Sequence, residues 1–270
     1  MCAITYIEGY KMKYDFGFIA IGDEITDGDI VNTNTPNFAK FLIEKGFQTG
    51  SHISCKDEFD DICSAITFLK ANHLNIIISG GLGPTEDDLT SEAIARHFDK
   101  KLKLDQSSWL ALQKRMINKY GKITHGTKKQ AMFPNGAKVI LNPNGTANGF
   151  DLPFDNNRDI YVFPGPPREC IHMFESIFSK PNKNRNIIRK NWYIKGIGES
   201  FLAEKLEIIK KEYPFVIFKY RLDEDFIELM YFYPKYCPHS ENIITNIERL
   251  EQHLNNGKII KEWIIELKKV

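Results

Sequence analysis

The segment IIISGGLGPTEDDLTSEA, running from Ile76 to Ala93, sets an apolar run against three glycines, a proline and then four acids. The β-branched stretch LNIIIS (Leu74 to Ser79) is too short for a helix of its own and reads as a buried strand. Gly80, Gly81 and Gly83 can adopt positive φ, so the amides after the strand can turn inward as an anion-binding nest. Thr90 is placed to N-cap the helix SEAIARHF, whose N-terminus adds partial positive charge at the same spot. No Lys-Ser/Thr pair follows the glycines and the GxGxxG spacing is absent, which excludes two familiar phosphate loops. A turn alone leaves Glu86, Asp87 and Asp88 unexplained, because acids beside an anion site repel a phosphate unless a cation stands between them.

Working outward, FGFIAIG (Phe16 to Gly22) reads as a first buried strand, and Thr35 with Pro36 opens a helix through NFAKFLIEK that Gly46 ends. QTGSHISC reads as a second strand. Asp57 closes it and caps a helix through EFDDICSAITFLKANH, on which Phe59, Ile62, Ile66 and Leu69 share a face. Apolar strands alternating with amphipathic helices predict an α/β fold, a mostly parallel sheet with helices on both faces. A helix is expected from Gln106 to Tyr120. The loop GKITHGTKKQAMFPNGA follows, then AKVILNPNGTANGF as an extended segment with a turn, and DIYVFPGPPRECIHMFESIF as another strand, loop and helix.

The polar stretch SKPNKNRN (Ser179 to Asn186) marks a boundary. The expected organisation is an N-terminal extension over 1–13, a main domain over 14–182 and a small α+β domain over 187–270. In that last part NWYIKGI, SFLAEKLEIIKKE, FVIFKY, FIELMYFY and ENIITNIERLEQHL predict strand, helix, two strands and helix. IKGIGES is only loosely like a GxxG nucleic-acid clamp, and Glu199 is wrong for gripping a phosphodiester backbone.

The 270 residues suffice for self-supporting cores, and a net charge of +1 excludes a broadly electrostatic grip on nucleic acid. Five widely spaced cysteines without a CxxC pair exclude a disulfide framework and a zinc ribbon, and read as reduced thiols of a cytoplasmic protein. The apolar runs are too short to span a membrane, and the opening MCAITYIEGYK lacks the pattern of a signal peptide.

On a parallel sheet, Asp23, Glu24 and Asp27, in GDEITDG after the first strand, should share a rim with Asp88. One or two carboxylates plus substrate phosphates are what Mg²⁺ usually takes. Each acid alone is equally well a solvated charge or a helix cap, and Asp57 is first a cap. Asn32 and Asn34 are turn residues or hydrogen bond a polar ligand edge. Gly165 in FPGPPRE lets a backbone come close and Pro167 suits a first helical turn, while Lys128 and Lys129 could neutralise a second phosphate.

Together IAIGDEITDGDIVNTN, SGGLGPTEDDLTSEAIA, KKQAMFPNGAKVILNPNGTANGF and VFPGPPRE resemble the CinA-type domain, a branch of the molybdopterin-binding-like fold, in order from Phe16 to Phe178. GIGESFLAEKL lies in a stretch similar to the small KH-like domain that follows in CinA proteins. The amidase domain that ends longer members has no room here, so the resemblance is to the stand-alone form, without deamidation. What the resemblance implies is divalent-metal-dependent hydrolysis of ADP-ribose, or a related dinucleotide, to AMP and a sugar phosphate. It places Asp88, Glu24 and Asp57 in catalysis. Gly80, Gly81, Gly83, Pro84, Thr90, Asn32, Asn34, Lys129, Gly165 and Pro166 would bind substrate, and Asp88, Glu24 and Asp23 would hold Mg, Mn or Co. The alternative is a molybdopterin- or nucleotide-binding protein that does not hydrolyse. A homodimer is expected by the same likeness, with no nucleic-acid or membrane partner. Gly126 and Thr127 depart from a Ser-Asn pair usual before KQA, and Asn148 from a usual proline.

Overall fold

The computed structural model describes residues 14–155, 157–180, 187–212, 216–222, 226–234, 245 and 259–265. Contacts divide the chain into two units, the larger being Lys13–Pro181. The expected extension over 1–13 lies outside the described residues.

The larger unit is built on four parallel strands, β1 (Tyr14–Ile21), β2 (Thr49–Cys55), β3 (His73–Ser79) and β8 (Arg158–Phe163), in the order β2-β1-β3-β8. Two further strands extend the sheet beyond β8: β7 (Gly149–Asp155), antiparallel to it, and β6 (Lys138–Ile140), antiparallel in turn to β7. Direction in this part could not be read from AKVILNPNGTANGF, because pairing partners are non-local. Helix α2 (Asn34–Glu44) carries the chain from β1 to β2 on one side, and α3 (Phe59–Asn72) carries it back past β1 to β3. Right-handed crossovers in opposite directions put those helices on opposite faces.

The side chains follow that geometry with period two. Phe16 and Phe18 of β1 and Ile77 of β3 meet Phe38 and Leu42 of α2, with Phe174 and Phe178 of α6 (Pro167–Phe178) in the same cluster. Ile19 and Ile21 of β1, with Ile76 and Ile78 of β3, turn the other way toward Ile62, Ile66 and Leu69 of α3 and Ile94 of α4 (Thr90–His97). Each fully buried isoleucine or leucine contributes roughly 1.5–3 kcal/mol, and having both faces covered makes β1 and β3 near-continuous apolar runs.

Several local expectations are corrected. Helix α3 begins at Phe59 with Glu58 at its N-cap, and Asp57 instead accepts the Leu89 amide, 32 residues away, at 3.2 Å. Thr90 is the first residue of α4, with Leu89 at the cap. Its buried hydroxyl donates to the Gly80 carbonyl at 2.9 Å, which ties the helix to the end of β3. A short helix α1 (Asp23–Thr26) occupies the first loop. Strands β4 (Leu102–Leu104) and β5 (Met132–Pro134) flank α5 (Gln106–Tyr120) and the 3-10 turn His125–Ala131 and pair as a separate ribbon. Three residues each carry too little periodicity to be seen in sequence. Asn148, where a proline was expected, accepts the Asn142 amide at 2.9 Å and donates to Ser108 Oγ at 3.1 Å. Proline could do neither.

The buried imidazole of His73 fixes the far end of this sheet. Its Nε2 accepts the Ser51 amide at 2.9 Å and its Nδ1 lies 3.1 Å from the Leu69 carbonyl, a pairing that requires the neutral ring with its proton on Nδ1. Burial holds its pKa below the ordinary 6.5. The unfolded chain therefore takes up a proton near 6.5 that the folded one refuses. This stabilisation is complete above that value and declines as pH falls below it, by up to about 1.4 kcal/mol per pH unit. Urea midpoints at pH 7.5 and 6.0 should differ more in the wild type than in His73→Gln.

The smaller unit holds an antiparallel sheet, β10-β11-β9-β12, made of β9 (Ile187–Ile194), β10 (Ile217–Leu222), β11 (Ile227–Pro234) and β12 (Ile259–Ile265). Helix α7 (Glu199–Glu212) lies between β9 and β10 in the chain. Trp192, Ile194, Leu202, Leu206, Leu229 and Tyr231 are buried. The expected helix ENIITNIERLEQHL lies, apart from Thr245, outside the described residues, and β12 was not anticipated. Cys55 and Cys170 are buried free thiols and Cys63 is partly exposed, while Cys2 and Cys237 lie outside the described residues.

Candidate functional site

All four parallel strands deliver their carboxyl ends to one rim. β1 ends at Gly22-Asp23-Glu24, β2 at Lys56-Asp57, β3 at Gly80-Gly81 and β8 at Pro164-Gly165. The connections leaving β1 and β2 run in opposite directions, so the strand order reverses beside β1, and such a switch point opens a crevice at the carboxyl edge of an open sheet.

Gly80 and Gly81 bend the chain there with φ of 109° and 64°. The Gly80 amide donates to the Phe163 carbonyl, and a Cβ on Gly80 would stand 2.0 Å from the Ile21 carbonyl oxygen. At Gly81 a Cβ would meet Thr90 Oγ1 at 2.1 Å and Asp57 Oδ1 at 2.7 Å. The loop is packed between β1, Asp57 and α4. Among the described residues, the amides of Gly81 and Leu82 have no acceptor, whereas those of Gly83 and Thr85 are taken.

Asp88 takes them. Its Oδ1 accepts the Gly83 amide at 2.7 Å and its Oδ2 accepts the Thr85 amide at 2.9 Å and the Thr85 hydroxyl at 2.5 Å. The side chain closes the loop on itself. Lys129 fastens the outer limb, donating to the Thr85 and Glu86 carbonyls and pairing with Glu92 at 3.7 Å. Gln130 supports the inner limb through the Leu82 carbonyl. Neither Thr85 nor Gln130 was singled out from sequence, although Thr85 and Asp88 stand at the spacing that marks side-chain capping of a turn.

Of the acids expected on the rim, Asp23 and Asp88 stand close to Asp57. Asp57 donates its amide to Asp23 Oδ1 at 3.2 Å. Glu24 folds back over Gly22, where a Cβ would lie 2.7 Å from its Oε1. Asp27 pairs with Lys56 at 3.4 Å. Burial pushes the Asp57 carboxyl up to about 6, with the charges of Asp88, Asp87 and Asp23 adding to it and the Leu89 amide opposing. Among the described residues, no three His, Cys, Asp or Glu side chains converge to hold a metal ion.

The remaining candidates frame the crevice. Asn34 Nδ2 donates to the Gly165 carbonyl at 2.7 Å, joining the first loop to the last. Its Oδ1 is buried without a partner among the described residues. Asn32, two residues ahead of α2, accepts the amide of Thr35 and donates to its hydroxyl. Pro166 caps α6, and Pro84 belongs to the outer limb and lines a cavity with Leu102, Leu104 and Met132.

Asp57 is held at a cost in stability. Its carboxyl keeps a proton in the folded state up to about 6 but only to about 3.8 when unfolded. Stability contributed here is thus lost as pH rises from 4 through 6. Asp57→Asn retains an acceptor for Leu89 and removes the charge. It should raise stability at pH 7.5 by about 1–2 kcal/mol after allowance for partial exposure, and by nothing at pH 4, as read from urea midpoints.

Comparison with known proteins agrees with this architecture. The family model described as "Probable molybdopterin binding domain" matches residues 17–183. A protein of Alkaliphilus metalliredigens (strain QYMF) named for competence-damage induction is 36% identical over 194 residues, covering 71% of this chain and 47% of the relative. A similarly named protein of Natranaerobius thermophilus is 34% identical over 202 residues, covering 71% and 48%. The chain spans about half the length of the curated relatives it matches. The crystal structure of CinA, with unknown function, from Thermoplasma acidophilum superposes with a TM-score of 0.57 at 29% identity, covering 62% of this chain and 97% of that one. Among the described residues no helix is long and apolar enough to cross a membrane. By the extent of the family match and by its glycine-loop rim, the chain belongs to the molybdopterin-binding-domain family, in its CinA-type branch.

Proposed function

We propose that the rim binds a phosphorylated nucleotide or a molybdopterin-type ligand by its phosphate. The observation that carries this reading is the pair of unclaimed amides at Gly81 and Leu82, presented by a positive-φ turn at the switch point beside the start of α4. Unpaired loop amides near a helix N-terminus suit an anionic oxygen. Asp88 supports it by a fixed loop shape, which spares a ligand the ordering cost.

Hydrolysis of ADP-ribose to AMP and ribose 5-phosphate is the second reading. It is favoured by Asp57, which stands beside Gly81 with a pKa raised to about 6, near where a general base works at neutral pH. A divalent cation belongs to this reading only as a companion of the diphosphate, with Asp23 offering oxygens.

Calorimetric titration with ADP-ribose, followed by chromatography for AMP with and without Mg²⁺, Mn²⁺ or Co²⁺, separates the two. Binding without AMP supports a binding protein, and AMP release that Asp57→Asn abolishes supports the hydrolase. Absence of binding to ADP-ribose and to a pterin phosphate alike would overturn both.

A further inference from the structure

Asn-Gly pairs stand at Asn135-Gly136, Asn144-Gly145, Asn148-Gly149 and Asn256-Gly257, the last outside the described residues. At such a pair a chain can modify itself, because a glycine carries no side chain to obstruct its nitrogen from reaching the preceding carboxamide. Two further conditions are a carboxamide free to turn and a glycine amide not engaged elsewhere. Asn144 fails both: its Nδ2 donates to the Arg168 carbonyl at 3.3 Å, and the Gly145 amide donates to Asn142 Oδ1 at 2.8 Å. Asn148 is held at both ends of its carboxamide, accepting the Asn142 amide at 2.9 Å and donating to Ser108 Oγ at 3.1 Å, and Gly149 is buried in β7 opposite Ile140. Asn135 and Gly136 are instead exposed, in the turn that joins β5 to β6. Among the described residues neither the Asn135 carboxamide nor the Gly136 amide has a hydrogen-bond partner. The turn around them is closed by the Ala137 amide on the Pro134 carbonyl at 3.0 Å, with Gly136 at a φ of 93°. Lys100 Nζ lies 3.9 Å from the place a Cβ on Gly136 would take, and among the described residues it has no ion pair.

We propose that Asn135 is a modification site, at which the folded chain converts its own asparagine to aspartate and isoaspartate with water as the only co-reactant. The Gly136 nitrogen gives up its proton and attacks Asn135 Cγ. The new N–Cγ bond closes a succinimide ring, the Cγ–Nδ2 bond breaks, and Nδ2 takes up the proton and leaves as ammonia. Water then opens the ring. Cleavage of the N–Cγ bond restores the ordinary main chain and leaves aspartate, whereas cleavage at the main-chain carbonyl carbon routes the chain through Cβ and Cγ as isoaspartate. Water is consumed and ammonia released, with nothing oxidised or reduced. Lys100 assists, because a positive charge beside the Gly136 nitrogen favours its deprotonated form. The same ammonium then faces the carboxylate that the reaction creates, a pairing of opposite charges where a neutral side chain stood before.

The test is timed incubation of the whole chain at mildly alkaline pH, followed by trypsin digestion and mass spectrometry with fragment spectra to locate the change. Trypsin separates the sites, since Gln130–Lys138 carries Asn135 while Val139–Arg158 carries Asn144 and Asn148. In the folded chain Asn135 should gain the mass of an amide-to-acid exchange roughly tenfold faster than Asn144 or Asn148, the protection that one retained hydrogen bond gives. In urea, where those bonds are lost, the sites should convert at comparable rates. Chromatography should resolve the Asn135 product into aspartyl and isoaspartyl peptides of equal mass. Lys100→Gln should slow conversion at Asn135 about twofold to fivefold in the folded chain, as expected for an exposed charge pair, and leave the rate in urea unchanged. An Asn135 that converts in urea but not in the folded chain, or conversion of folded Asn144 or Asn148 as fast as Asn135, would overturn the site. An unaltered folded-state rate in Lys100→Gln would overturn the part given to the lysine.

Discussion

Gly80→Ala should destabilise the larger unit by about 3–5 kcal/mol, summing backbone strain and overpacking. The native φ of 109° is closed to residues with a Cβ. The added methyl would also stand 2.0 Å from the Ile21 carbonyl oxygen, which is backbone of a central strand and cannot swing away. Relief requires parting β1 from β3 at the switch point, where Thr90 Oγ1 also holds the Gly80 carbonyl. Gly28→Ala is the control: its φ is 86°, but nothing lies within 4 Å of its Cβ position, so only the strain of about 1 kcal/mol remains. Urea unfolding of the two variants side by side checks the difference.

Asp88→Asn should lower affinity for a phosphate-bearing ligand by about 100-fold, with stability falling by only about 1–2 kcal/mol. The substitution is nearly isosteric but reverses one donor. Asparagine can accept the Gly83 amide with Oδ1. Its Nδ2 then faces the Thr85 amide, a donor against a donor, where Asp88 Oδ2 accepts at 2.9 Å. The loop must open to separate them, and the amides of Gly81 and Leu82 lose their fixed direction. Were Asp88 instead only a solvated acid, the change would remove a negative charge beside an anion site and tighten binding. Titration with ADP-ribose therefore decides the role by sign.

How much of this was legible follows from where the partners lie. β1, β3 and β8 were readable because both faces are covered, leaving short apolar runs that end at glycine or proline. α2, α3 and α6 were readable from 3.6-residue spacing, and α2 begins within one residue of the expected Thr35. The glycines at Gly80 and Gly81 were readable as positive-φ positions, since their neighbours in sequence are a strand and a helix. The side-chain roles were not. Asp57 sits next to α3 in sequence, and local reasoning made it that helix's cap, yet its acceptor oxygen serves Leu89 across a crossover. Thr90 likewise has the sequence position of a cap and is a buried tie to Gly80. Lys129 donates to the carbonyls of Thr85 and Glu86, pairings that local reasoning does not reach. Asn34 bridges to Gly165 over 131 residues, a pairing that only the sheet order reveals. The cavity was equally hidden, because its walls come from three-residue strands, LKL and MFP, that carry no periodic signal.

The claim on which all the rest depends is that the Gly81 and Leu82 amides receive the phosphate. Amide shift mapping by ¹⁵N–¹H correlation spectroscopy, during titration with ADP-ribose and separately with a pterin phosphate, observes those two N–H groups directly. The expected result is that Gly81 and Leu82 move furthest and saturably with at least one of the ligands. Saturable shifts confined to residues away from the Gly80–Thr90 segment, or no shifts with either ligand, would contradict it.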